Sequence, residues 1–187
     1  MKYFEEYFQE AIETLSKLPE LSSKTYEVAT VIVEALTSGK SIYWFGNGGS
    51  ASDAEHLAAE LAGKFKIDRE PLSSYSLTSN SSLITAISND YGFENVFARQ
   101  VRGYVSSGDI VIGISTSGAS LNVINGLLEA TSKSAITVAL VGSNTFNLPQ
   151  VNYTLSVPSD KTAHIQEAHI TIGQAICGFV ESKFIKK

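Results

Sequence analysis

"SIYWFGNGGSASDAEHLAAEL", residues 41–61, sets the architecture of the chain. Ser41 to Gly46 is a short apolar run flanked by turn formers and reads as a strand. Asparagine and glycines follow at 47–49, and from about Ser50 to Leu61 the apolar residues return at helical spacing. A strand that passes through a glycine turn straight into a helix is the first half of a strand-helix-strand unit, and the rest of the chain continues in that style.

Further strands are expected at "SSYSL" (73–77), "DIVIGIS" (109–115), "AITVALVG" (135–142) and "VNYTLSVP" (151–158). Two helices open the chain, over 3–18 with Phe4, Phe8, Ile12 and Leu15 on one stripe, and over 22–38 with Val28, Val31, Ile32 and Leu36 before Gly39. "SLITAIS" and "NVFARQVRGYV" are helical in pattern, and longer helices are expected over 119–131 and 162–184. Alternating strands and helices imply a parallel sheet covered on both faces, with ligands held beyond the carboxyl ends of its strands. Two strands end there in small, hydroxyl-rich loops, "GNGGS" and "STSGAS".

Composition narrows the partners. The 187 residues suit one domain, 1–187. Apolar runs of about six or seven residues fall far short of the ~20 needed to span a bilayer, and the amphipathic start is not a secretion signal; membrane is not an expected partner and a cytoplasmic location is. A net charge of −5 with scattered lysines and arginines offers nucleic acid no basic face. Any anion must therefore be held by local amides and hydroxyls against the overall field. The lone Cys177, in an apolar helical setting, reads as a buried, unreactive thiol.

Four features carry chemistry. "GNGGS" lacks the endings of dinucleotide and nucleotide phosphate loops, and reads either as an anion-meeting turn or as a strain-relieving turn before Ser50 caps the helix. In "STSGAS" the hydroxyls of Ser115, Thr116, Ser117 and Ser120 surround Gly118 at a helix start, a good phosphate cradle or a serine-rich cap without ligand. His56 and Glu60, at i and i+4, share one helix face and can form a metal pair, an acid-base couple or an exposed ion pair. In the last helix Gln166, His169 and Gln174 border one broad face, for a site or for bonding between helices.

Together these segments resemble the sugar isomerase (SIS) domain family, and within it the phosphoheptose isomerase type. The resemblance rests on "GNGGSASDAEHLAAEL", "ITAISNDYGFENVFARQV", "GDIVIGISTSGAS" and "VPSDKTAHIQEAHI", in order and spacing, and spans nearly the whole chain. It implies an α/β fold, a flavodoxin-like three-layer α/β/α sandwich with a five-stranded parallel sheet, assembled as a homotetramer. It implies interconversion of sedoheptulose 7-phosphate and a heptose 7-phosphate through an enediol, for heptose biosynthesis. Carried over by motif, Asn47, Gly48, Gly49 and Ser50 line the sugar, Asn89 and Asp90 contact it, and Ser115, Thr116, Ser117 and Ser120 hold the phosphate. His56, Glu60 and Gln166 match three zinc ligands, with Glu60 as the base and Gln166 also facing the substrate.

The pattern is broken at Gln174, which occupies a catalytic position where the family carries histidine; an amide hydrogen-bonds but does not shuttle protons near neutral pH. Lys64, Asn80 and His164 stand where arginine, aspartate and arginine are frequent. These departures keep a second reading open, a non-catalytic SIS protein that binds a phosphosugar or a protein partner such as a replication initiator.

Overall fold

In a computed structural model that describes residues 1–143 and 150–185, side-chain alternation along the strands builds two cores, one on each face of a single sheet. Along β1 (Ile42–Gly46), Ile42 and Trp44 point to one face while Tyr43 and Phe45 point to the other. Ile110, Ile112 and Ile114 of β3 (Ile110–Ser115) and Val138 and Leu140 of β4 (Ile136–Val141) join the Trp44 side. With β2 (Ser74–Ser76) and β5 (Tyr153–Ser156) at the edges, all neighbours pair in parallel in the order β2-β1-β3-β4-β5.

Helices α2 (Ser22–Thr37), α3 (Gly49–Ala62) and α7 (Thr162–Lys183) cover the Trp44 face. Helices α4 (Ser81–Tyr91), α5 (Val96–Tyr104) and α6 (Leu121–Ser132) cover the Phe45 face. Helix α1 (Lys2–Ser16) lies outside, against α7. The expected fold class therefore holds. Two local readings change: a separate 3-10 turn at Phe93–Asn95 precedes α5, and Ser50 does not cap α3. The cap position is Gly48, whose φ of 56° and ψ of −122° suit glycine, and Ser50 sits buried inside the first turn. Asn80, by contrast, does cap a helix, its Oδ1 accepting from the Leu83 amide at the start of α4.

Helices α3 and α7 run side by side in the same direction. A Cβ on Gly49 would stand 2.6 Å from Gln166 Nε2, and one on Gly173 would stand 2.4 Å from Leu57 Cδ1, so glycine on either helix permits the approach. At the far end Glu181 gathers the chain leaving α3: its carboxylate accepts from the amides of Phe65, Lys66 and Ile67 at 2.8–3.1 Å. Arg69, its buried ion-pair partner, donates to the carbonyls of Glu60 and Leu61 at 2.9 Å and so closes the last turn of α3. Burial alone pushes the Glu181 carboxyl up, but the amides and Arg69 outweigh it and its pKa lies below the usual carboxylate range.

A second polar network fastens α1 to the start of α7. The buried His164 ring meets Glu167 Oε2 at 2.9 Å through Nδ1 and Glu10 Oε2 at 3.4 Å through Nε2. Tyr7 donates to Glu167 at 3.2 Å, and the Lys161 ammonium pairs with Glu10. Histidine at 164 is thus a bridge between two helices. Among the described residues no helix is long and apolar enough to cross a membrane.

The Glu181 cluster yields a prediction. Glu181→Ala strands a buried guanidinium and frees three amides, so it should lower unfolding free energy by roughly 3–5 kcal/mol in urea denaturation at pH 7; a loss under about 1 kcal/mol would show that the clamp does not hold the end of α3.

Candidate active site

Because β1 lies between β2 and β3, the chain leaves β1 toward one face of the sheet and β3 toward the other. This reversal is the switch point of an open parallel sheet, where a crevice forms beyond the strand ends. Its two walls are the glycine turn, 46–49, and the serine loop, 115–120.

Two asparagine amides join the walls. Asn47 Nδ2 donates to Asn122 Oδ1 and Asn122 Nδ2 donates to Asn47 Oδ1, both at 2.8 Å. The Asn47 side chain, expected to line a sugar, therefore spends its amide on this bridge within the chain. Asn122 is buried, its Oδ1 also accepting from the Val123 amide. It escaped the sequence reading, although an amide at an otherwise apolar turn beside a serine-rich helix start was a usable signal.

The serine loop gathers the expected hydroxyls. Ser115, buried at the end of β3, donates to Ser120 Oγ at 3.2 Å, and Ser117 Oγ accepts from the Ala119 amide at 3.2 Å. Gly118, at φ 65°, turns the chain. Ser120 stands at the cap position of α6 without making a side-chain cap bond, which leaves amides of the first turn to a ligand.

On the opposite wall His56 Nε2 and Glu60 Oε1 are 2.9 Å apart, the His56 side chain half-exposed and Glu60 mostly covered. Gln166, reaching across from α7, packs against Gly49. Gln174 lies next to Gly173, half-buried two helical turns further along α7. Asp53, on the α3 face shared by Gly49, His56 and Glu60, adds a carboxyl that the sequence reading passed over. Burial pushes its pKa up to about 6, the charge of His56 opposing. Its Oδ2 is enclosed and has no hydrogen-bond partner among the described residues.

Asn89 and Asp90 are placed elsewhere, exposed on the last turn of α4, where Asn89 donates to Asp90 at 2.8 Å. No hydrogen bond among the described residues ties them to either wall. His169 is fully buried, and among the described residues its ring nitrogens find no partner on another helix. Burial pushes its pKa down to about 4, against a pull upward from the nearby Val141 backbone. Cys177 is buried as expected, its thiol pushed up to about 12 chiefly by desolvation.

His169 gives a pH prediction. A histidine whose folded pKa is depressed binds fewer protons folded than unfolded between about pH 4 and 6.5, so stability falls as pH drops through that window. His169→Leu should flatten this loss, on the order of 3 kcal/mol, in denaturation midpoints taken at pH 7 and 4.5; parallel pH dependence in both proteins would refute it.

Comparison with known proteins places these features in context. The SIS domain family pattern matches residues 6–142. A phosphoheptose isomerase of Aquifex aeolicus is 47% identical over 176 residues, covering 93% of this chain and 92% of that protein. Among solved structures, the phosphoheptose isomerase GmhA of Neisseria gonorrhoeae superposes with a TM-score of 0.90 at 36% identity, over 97% of this chain and 98% of that one. A phosphoheptose isomerase from Francisella tularensis gives 0.93 at 31% identity, over 97% of both chains.

Proposed function

The chain belongs to the SIS domain family, and from that premise we propose that it is the isomerase that interconverts sedoheptulose 7-phosphate and D-glycero-D-manno-heptose 7-phosphate in heptose biosynthesis. The observation that carries the reading is the crevice itself. Hydroxyl-bearing residues at the start of α6 stand across the β1/β3 reversal from a helix that carries a carboxylate and an imidazole 2.9 Å apart.

The phosphate is held by Ser115, Thr116, Ser117 and Ser120 with the first amides of α6, so the net charge of −5 is offset locally by oriented donors. Gly48 and Gly49 let the sugar approach the backbone. With the phosphate anchored, Glu60 takes the proton from the carbon beside the carbonyl, the carbonyl oxygen gains a proton, and the enediol forms. Return of a proton to the neighbouring carbon, with loss of one from the other oxygen, completes the exchange. His56 holds Glu60 in its rotamer. Gln174 contributes hydrogen bonds to the enediol oxygens and leaves the oxygen-side proton transfers to water or to a neighbouring group.

We extend the proposal to zinc, with His56, Glu60 and Gln166 as donors. The imidazole nitrogen and carboxylate oxygen converge closely enough to share one ion, and an amide oxygen is a weaker third. Among the described residues no three His, Cys, Asp or Glu side chains cluster, so this mixed set is the one the site offers. When bound, the ion supplies Lewis acidity toward the carbonyl and hydroxyl oxygens.

We also propose assembly into a homotetramer in the cytoplasm. Phe4, Phe8 and Ile12 on α1 are 62%, 61% and 59% exposed, an apolar row turned to solvent in the single chain. Close by, a cavity of about 380 Å³ between α2 and α7 is lined by Leu18, Tyr26, Ile172, Ile176 and Phe179. Phe4→Asp combined with Phe8→Asp should shift the light-scattering mass toward smaller species; an unchanged tetramer would remove α1 from the interface.

The activity test is direct. Purified protein, assayed with a panel of phosphorylated ketoses with and without zinc, should turn over sedoheptulose 7-phosphate, and Glu60→Gln should lower kcat by about 10²–10⁴-fold. Equal rates in the two proteins would dismiss Glu60 as the base. No turnover in any condition would favour the binding-protein reading instead.

A further inference from the structure

The seam between α3 and α7 contains an acceptor without a donor. At about 100° per residue, Asp53 lies roughly midway round α3 between Gly49 and Leu57, the two residues that touch Gln166 and Gly173 of α7. Asp53 therefore faces α7 directly. The register that sets Gly49 against Gln166 and Leu57 against Gly173 puts His169 and Ile170 at its level; Ile170 offers no hydrogen bond, and the His169 nitrogens do not bond Asp53 Oδ2. Helical side chains lean toward the N-terminus, so the Asp53 carboxyl leans toward the level of Gly49, where the Gln166 amide sits.

An enclosed carboxylate oxygen with no donor is costly, and burial has already raised the affinity of this group for a proton. Gln166 has the complementary need. For its carbonyl oxygen to point at a ligand, its NH2 group must be held from behind, as outer carboxylates hold the side chains that face a reacting centre. Among the described residues its amide packs on Gly49 and no hydrogen bond holds it.

Resting on the isomerase reading, we propose that Asp53 is the positioning residue for Gln166: Asp53 Oδ2 accepts from Gln166 Nε2 and turns Gln166 Oε1 toward the sugar. The pair forms within one protomer, across the glycine contact, through side-chain rotation alone. It also gives a partner to an acidic residue in a seam that Leu57, Gly173 and Cys177 make largely apolar.

The experiment is a mutant cycle on the full-length protein with sedoheptulose 7-phosphate as substrate and inorganic phosphate as a competitive probe. Asp53→Leu should lower kcat about thirtyfold, within the range for loss of an outer carboxylate, while the inhibition constant for inorganic phosphate stays put. Asp53→Asn, whose amide oxygen still accepts, should recover most of that loss. On a Gln166→Ala background Asp53→Leu should add less than about twofold, because the group it positions is gone. Asp53→Ala, run beside it, closes the same cycle without added bulk should the leucine variant fail to fold. An asparagine variant as slow as the leucine variant would make Asp53 a proton carrier and overturn the proposal, as would an undiminished effect on the Gln166→Ala background. A wild-type protein without turnover would instead remove the isomerase reading on which the cycle stands.

Discussion

The arrangement depends on one topological constraint, the reversal of strand order at β1. Parallel strands joined by right-handed crossovers place consecutive helices on the same face until the order reverses. Here the reversal sends α3 to the Trp44 face and α6 to the Phe45 face. The loops that start those helices must then part beyond β1 and β3, and a cleft between two helix N-termini follows. The paired amides of Asn47 and Asn122 fix its width, since both hydrogen bonds need the same separation. A site for an anionic sugar in an acidic protein is thus a product of the backbone path, with side chains refining it.

Much of this was legible beforehand because period-two and helical spacings are local. Ile42, Trp44, Tyr43 and Phe45 announced a strand buried on both faces, and the hydroxyls at 115–120 announced a helix start able to meet an anion. Strand order was not legible from spacing, since it depends on which crossover passes over which face. Neither was the union of Arg69 with Glu181, whose partners lie far apart in sequence. The fate of Asn47 was hidden for a similar reason: its partner, Asn122, belongs to another helix. Ser50 misled because serine at the start of a helix usually caps it, whereas the backbone geometry at Gly48 takes that position one residue before the helix begins. Asn89 and Asp90 were carried over by resemblance alone, and within one chain they stand apart from the cleft.

The buried polar groups divide into two kinds. Glu181 and Arg69 are compensated by amides and carbonyls, and they lock the chain where it leaves α3. His169 and Asp53 are not compensated, and burial moves the pKa of each toward its neutral form. Compensated groups serve the fold. The uncompensated ones store a cost, and Asp53 stores it beside the reactive cleft, where a ligand can relieve it. Helix α7 connects the two kinds, carrying Gln166 at one end and Glu181 at the other along a single rigid rod.

Cys177 has a practical bearing on all of this. Its sulfur is the only thiol in the chain, sealed against Leu57 and held protonated well above neutrality. Maleimide or spin-label chemistry at pH 7 therefore meets an effectively silent background. A cysteine introduced at any exposed position becomes the sole address for a reporter, with no need to strip the native one from the core.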